Sequence, residues 1–469
     1  ANPFCGSPIG PFKRRQRTMF AMKKLNFLVA AVIGDAAAFG TRELDSVRAN
    51  ATEHHWAVIV AGSNSFANYR HQADACHAYQ IMKKNGVPES NIILMMYDDI
   101  AGNAMNPFPG QVFNKPTAAG VPGVDVYDGC VAEYTGKDVN RDVFLAVLTG
   151  DADAAGGRVL GSTAGDNVFV YYADHGAKGL VAMPANEKPV TAKDLQGALE
   201  TMRSRDMYDR LVVYVEACES GSMFAGDLLA NDTKVYATTA ASGMESSWGC
   251  YCGTESKVDG KSLSTCLGDL YSVSWMENSD LDAPAETLAK QYRVVKRETN
   301  KSHVQLFGDQ SFARDYVVAF QGDGDDKRGV AAPAAPARKG LVSSRDATLS
   351  FLEARLLAAR GDGALGDAQS AYDAELAARA ATAGRFARVS AAHGETLHGL
   401  LERGAKTDVG AFSDAHWACY GDAIEAVRTA CPRGIDDEHV LGHLKVLAAL
   451  CYADAGADVA GTVAAACAD

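Results

Sequence analysis

Beyond residue 40 the sequence contains no apolar run approaching the ~18–20 residues needed to span a bilayer, so no stable membrane insertion is expected of it. Positive charge is in short supply. There are 45 Lys and Arg against 58 Asp and Glu, a formal net charge of −13, and no basic stripe with interleaved aromatics, which argues against a nucleic-acid partner. Cysteine is scarce for a disulfide scaffold, at 11 in 469 residues, yet more plentiful than in most cytosolic enzymes of this size. After Asn300 asparagine is absent altogether. What remains is ordinary for a soluble globular chain, with 47% hydrophobic and 22% charged residues, and the length allows two or three domains.

The placement of the cysteines says more than their number. Cys419, Cys431, Cys451 and Cys467 stand alone in the last third, and Cys252 and Cys266 bracket a polar loop. Even-numbered local groups suggest bridges and an oxidising compartment. Residues 22–50 begin MKKLNFLVAAVIGDAAAFG, a basic start followed by a short apolar stretch and small residues, which is the pattern of a signal peptide and a short propeptide. A signal normally starts a chain, so residues 1–21 are expected to be an extension from outside the mature protein. The sequons at Asn50, Asn231 and Asn300 permit glycosylation.

From residue 54 to 322 apolar runs alternate with helical periodicity. WAVIVAG (56–62), NIILMMYDD (91–99), DNVFVYYADHG (166–176), RLVVYVEAC (210–218) and TKVYATTAA (233–241) predict strands, and residues 73–86, 138–150 and 190–205 predict helices. The pattern is α/β, a mostly parallel sheet flanked by helices. Such sheets carry their active groups at the carboxyl ends of the strands. GDGDDKRGVAAPAAPARKG then opens an Asp-, Ala- and Pro-rich linker over 323–344, and Ala-rich amphipathic segments over 345–469 predict an all-α domain.

Two strand ends carry chemistry. YYADHG leaves His175 at one, and VYVEAC leaves Cys218 at the next, each with a glycine close by. A lone Cys after an apolar strand is most often a core residue; a His–Gly ending on the neighbouring strand favours a nucleophile–base pair instead. Gly221 would let backbone N–H groups approach an oxyanion. Negative neighbours disfavour a thiolate, and Glu216 and Glu219 flank Cys218.

The segments NYRHQADACHAY (68–79), YYADHG, VEACESGSMF, ATTAASGMESSWGCYC (237–252) and STCLGDLYSVSWMENSD (264–280), with HLKVLAALC (443–451) in the tail, closely resemble the legumains. These are asparaginyl endopeptidases, or vacuolar processing enzymes, of the caspase-like clan, and the plant and algal branch is the nearer one. The resemblance implies a caspase-like peptidase domain and a cysteine endopeptidase without cofactor or metal. Its nucleophile would be Cys218, its general base His175, and Asn68 would orient the His. Gly176 and Cys218 would supply oxyanion N–H groups. The pocket for the residue before the scissile bond (P1) would comprise Arg70, His71, Glu216, Ser246 and Asp269, a cation and carboxylates complementary to an Asn amide. An ionised Asp would be repelled there, so Asp cleavage should need acid. Substrates would be proteins and peptides with Asn or Asp at P1.

The resemblance further implies a zymogen whose helical C-terminal domain, as an intramolecular inhibitor, covers the site until acid autocleavage. With no asparagine after 300, that cut would follow Asp323, Asp325 or Asp326. It implies the bridges Cys252–Cys266, Cys419–Cys451 and Cys431–Cys467, leaving Cys76, Cys130 and Cys250 as free or buried thiols. It also points to Asp174 as prone to succinimide formation and to Gly249, Ala177 and Lys178 as positions that tune peptide ligation against hydrolysis. It allows a zymogen homodimer, and it implies a route through the secretory pathway to an acidic vacuole or lysosome, or secretion. Two other readings stand beside it. A glycosylphosphatidylinositol transamidase-like catalytic subunit would carry a membrane anchor in place of the helical domain. A silent storage or binding paralogue would have lost His175 or Cys218.

Overall fold

The computed structural model describes residues 55–118, 120–226, 228–230, 232–282, 286–322, 338–359 and 365–468. The leader regions 1–21 and 22–50, the linker aspartates Asp323, Asp325 and Asp326, and the sequons at Asn50 and Asn231 lie outside them.

The predicted alternation folds as β1 (His55–Ala61), α1 (Tyr69–Lys84), β2 (Ile92–Met95), α2 (Arg141–Thr149) and β3 (Asn167–Ala173). A small hairpin of β4 (Gly176–Ala177) and β5 (Leu180–Val181) follows, then α3 (Ala192–Ser204), β6 (Arg210–Glu216), β7 (Val235–Thr239) and β8 (Trp248–Cys250). After β9 (Gly268–Asp269) come α4 (Leu270–Asp282), α5 (Leu288–Glu298) and β10 (Gln305–Gly308). The main sheet runs in the order β10-β7-β6-β3-β1-β2, parallel except for β10 at its edge.

Alternation along the strands divides the core between the two faces of the sheet. Ala57, Ile59 and Ala61 face one cluster with Trp275 and Phe169, while Val58 and Val60 face another with Phe144 and Leu199. The second cluster continues without a break into C-terminal residues such as Leu400, Tyr420 and Leu447, so the helical region is packed into the same core. That region comprises β11 (Val342–Ser343), α6 (Ala347–Ala359), α7 (Leu365–Ala392), α8 (Leu397–Lys406), α9 (Asp414–Ala430), α10 (Leu444–Ala453) and α11 (Val459–Cys467). No helix among the described residues is long and apolar enough to cross a membrane.

Two sequence expectations need correction. Helix α1 starts at Tyr69, four residues earlier than its periodicity suggests, because Arg70, His71, Gln72 and Asp74 are buried polar residues that erase the amphipathic pattern. Cys76 and Cys130 are not free thiols: they form a bridge with a Cα–Cα distance of 5.6 Å. Cys130 lies in an irregular segment with no period, so nothing in the pattern pairs it with α1. Cross-linking across 54 residues stabilises the fold by roughly 4 kcal/mol in the chain-entropy picture. The structure also joins Cys252 to Cys266, Cys419 to Cys451 and Cys431 to Cys467, and leaves Cys218 and Cys250 as buried thiols.

Candidate active site

Strands β3 and β6 pair in parallel with Ala173 opposite Glu216, and the ladder extends one step further as Asp174 N–H donates to Glu216 O at 3.0 Å. This register brings His175 and Cys218 to one carboxyl edge of the sheet. Gly176 is there because nothing larger fits: a Cβ would lie 2.4 Å from Cys218 O and 2.9 Å from Ala217 Cβ. Gly221 has a different role from the one its position suggests. Its N–H is committed to Ala241 O at 3.0 Å, and a Cβ would strike the 241–243 backbone, so it serves close packing and does not face an oxyanion.

His175 Nε2 donates to Asn68 Oδ1 at 2.9 Å, which leaves Nδ1, the basic nitrogen, buried and without a partner. Asn68 stands at the head of α1, and Arg70 Nη1 approaches the same oxygen at 3.5 Å. Cys218 Sγ accepts from Ser247 N–H at 3.3 Å and lies 3.6 Å from Ser247 Oγ. Burial pushes the Cys218 thiol up against the pull of Arg345, while burial and the Arg70 and Arg345 guanidinium groups hold His175 well below the usual imidazole range. Both shifts favour the neutral forms.

Beside them a second cluster is fully buried. Arg70 Nε donates to Asp269 Oδ1 at 2.9 Å, and Glu216 Oε2 accepts from Ser272 N–H and Oγ at 3.0 Å each. Three atoms of this cluster have no hydrogen-bond partner: Arg70 Nη2, Glu216 Oε1 and Asp269 Oδ2. One donor and two acceptors, all buried, match the carbonyl and NH₂ of a primary amide. Burial raises the proton affinity of both Glu216 and Asp269, and the Arg70 charge offsets it. His71 links the two clusters: its Nδ1 meets Ser63 Oγ at 2.6 Å, its Nε2 lies 3.5 Å from Asp269 Oδ2, and its ring stands edge-on to His175 at 4.9 Å.

Asp174 is buried with neither oxygen hydrogen-bonded, and burial raises its proton affinity strongly. His71, Asp174 and His175 bring metal-ligand types within 4.8 Å of one another, but burial and then Arg70 depress both imidazoles, and the Arg70 charge opposes a cation there. Ser246 lines a cavity of about 280 Å³ together with Glu219, Glu245, Arg345, His439, His443 and Lys445. Its neighbour Ser247, which the sequence did not single out, is the serine against the thiol. Gly249 sits in β8 between β9 and β11, with the Cys252–Cys266 bridge beside it: a Cβ would lie 3.1 Å from Cys266 Sγ. Ala177 and Lys178 lie in the β4–β5 hairpin.

The end of the linker and the chain after it occupy this cleft. Tyr251 and Cys252 N–H donate to Lys339 and Gly340 O at 2.9 and 3.0 Å, β11 pairs antiparallel with β8, and Ser344 N–H donates to Ser247 O at 3.0 Å. Arg345 then reaches Gly176 O at 2.6 Å and the Glu219 carboxylate. Lys445 Nζ takes the other Glu219 oxygen at 2.8 Å. Glu219, which has no assigned role in the sequence reading, is thus a buried anchor for two cations of the C-terminal region, held in a left-handed conformation at φ +50°.

A buried thiol and an imidazole oriented by an amide, on adjacent strand ends of a parallel sheet, define a cysteine peptidase site. Comparison with known proteins agrees. Residues 55–323 match the model of the Peptidase C13 family. The chain is 43% identical to mouse legumain over 85% of its length and 89% of that protein, and 44% identical to the vacuolar-processing enzyme delta-isozyme of Arabidopsis thaliana over 71% and 74%. Among solved structures, caspase-1 of Spodoptera frugiperda aligns at a TM-score of 0.30 and 8% identity, over 55% of this chain and 88% of that one. The chain belongs to the Peptidase C13 family and is a cysteine endopeptidase.

Proposed function

We propose that this peptidase cleaves after asparagine, and after aspartate in acid, and is made as a zymogen inhibited by its own C-terminal domain. The observation that carries the specificity is the triplet of buried atoms on Arg70, Glu216 and Asp269 that no protein group hydrogen-bonds. Arg70 Nη2 would donate to the side-chain carbonyl, and the two carboxylate oxygens would accept from its NH₂. In the chemistry, Cys218 attacks the scissile carbonyl as His175 Nδ1 takes the thiol proton. The backbone at Gly176 and Cys218 steadies the oxyanion, and His175 returns the proton to the leaving amine. Water then hydrolyses the thioester; a peptide amine in its place would give ligation, for which Gly249, Ala177 and Lys178 are the positions of interest. Asn68 positions His175, so Asn68→Ala should lower kcat by about tenfold with little change in KM.

The zymogen reading is supported by Lys339–Ser344, which pair along the cleft as an added strand. Arg345 and Lys445 are the bolts on Glu219. Acidic delivery to a vacuole or lysosome would suit both the release and Asp cleavage. The test is turnover of peptides with Asn, Asp or Gln at P1 between pH 4 and 7, with Cys218→Ala as control. Asn should be cut across this range and Asp only toward its acid end; equal cleavage of Gln, or turnover by the control, would refute the reading.

A further inference from the structure

Lys178 stands at the tip of the β4–β5 hairpin, three residues past His175, and is only 4% exposed. Its ammonium donates to Gly243 O at 2.6 Å, within the peptidase domain, and to Ala405 O at 2.7 Å, in the last turn of α8. That carbonyl belongs to the negative end of a helix dipole. Burial lowers Lys178 to about 8, with Glu219 and Asp408 pulling it up and Lys445 pushing it down. The hairpin is docked by more of the C-terminal region: Tyr420 Oη donates to Lys178 O at 2.7 Å, and a Cβ on Gly179 would touch Val409 and Trp417.

The path of the inhibitory segment gives a direction to the cleft. Residues 339–344 lie along Ser247–Cys252, and Arg345 crosses past the thiol to Gly176 and Glu219. A substrate following the same course would lay the residues before its scissile bond on β8 and those after it toward Gly176, Glu219 and Lys178. The C-terminal region meets each charge on that side with its opposite, Arg345 and Lys445 on Glu219 and a helix carboxyl end on Lys178. Once it leaves, Asp408, Lys445 and Ala405 leave with it, and Lys178 loses one of its two acceptors.

We propose that Lys178 is the cationic element of a subsite for residues following the scissile bond, and that it selects a carboxylate-bearing side chain there. The inference rests on the peptidase reading above and on departure of the C-terminal domain. An acidic side chain takes the place that the Ala405 carbonyl holds in the closed molecule, and it gains a full charge where the helix end offers a partial one. Glu219 lies nearer the thiol and favours basic residues, so the preference is positional.

The experiment uses acid-activated enzyme and peptides with Asn at P1, carrying Glu, Gln or Lys in turn at each of the first three positions after the scissile bond. At pH 6 the peptide Glu is ionised and Lys178 protonated. At one position kcat/KM for Glu should exceed that for Gln by about fivefold, as for a partly exposed ion pair, and the ratio should shrink with salt. Lys178→Met should bring the ratio to about one, Lys178→Glu should turn it toward Lys, and Lys178→Arg should keep it. A wild-type ratio within twofold of one at all three positions overturns the proposal, as does a salt-insensitive ratio or one that survives Lys178→Met. Failure to cut any of these peptides would instead overturn the underlying asparaginyl reading. The salt dependence needs no variant, so the proposal stays testable even if the substitutions fail to fold.

Discussion

Glu216→Gln should lower kcat/KM for asparagine substrates by about a hundred- to a thousandfold while raising the ratio of aspartate to asparagine cleavage near neutral pH. The orientation of the new side chain is fixed in advance. Ser272 N–H donates to Glu216 Oε2, so the glutamine must place its carbonyl oxygen there and turn its NH₂ toward the position of Oε1, which has no partner. A donor then faces the NH₂ of the substrate amide, and two buried groups are left without acceptors. Each such loss costs about 1–3 kcal/mol, and a pocket built to hydrogen-bond a polar group discriminates steeply against a mismatch. For an ionised aspartate the change has the opposite sign, because a repelling acceptor becomes a donor. Parallel steady-state kinetics on peptides differing only in Asn or Asp, at pH 5 and 6.5, reads both effects. An unchanged Asp-to-Asn ratio would remove Glu216 from the pocket. Arg70→Met is the poorer test, since it leaves the buried carboxyls of Glu216 and Asp269 without their cation and risks the fold itself.

Much of this site is legible in the sequence, for reasons tied to strand geometry. His175 and Cys218 end two apolar runs separated by one helix, and parallel strands with a crossover bring such ends to one edge. Glu216 is two residues before Cys218 and shares its side of the strand. Other features escaped because they depend on packing between distant segments. Ser247 reaches the thiol from a loop after β7, and no spacing rule announces that. The partner of Cys76 lies in an irregular loop. Glu219 gains its task only from Arg345 and Lys445, more than a hundred residues downstream. The one available signal was its position beside Cys218, where an unexplained buried acid calls for a cation.

On the zymogen reading, His443→Gln should shift acid activation to lower pH. His443 sits in α10's approach to the cavity over Glu219, 9% exposed, its Nδ1–H donating to His439 O at 2.9 Å. Burial, with the charges of His439, Arg345 and Lys445, holds it down to about 4 against the opposing pull of its hydrogen bond to His439 O. In the released domain an exposed imidazole returns to about 6.5. The folded value is the lower one, so the closed form binds fewer protons than the released form, and its advantage is full above about pH 6.5 and falls away as the pH drops toward 4. By this linkage His443 alone favours release roughly thirtyfold at pH 5. His439 is lowered too, by burial and Arg379, and adds to the effect, whereas buried Glu438 has its proton affinity raised and opposes it. Glutamine removes the proton but keeps a donor for His439 O. Activity appearing after timed incubation across pH 3.5–6.5 should therefore show a midpoint lowered by about half a unit or more. Thermal stability of the two proenzymes at pH 7 should agree within about 1 kcal/mol, as for a mild polar exchange. A midpoint that stays put, with stability matched, would assign the acid trigger to the carboxylates alone.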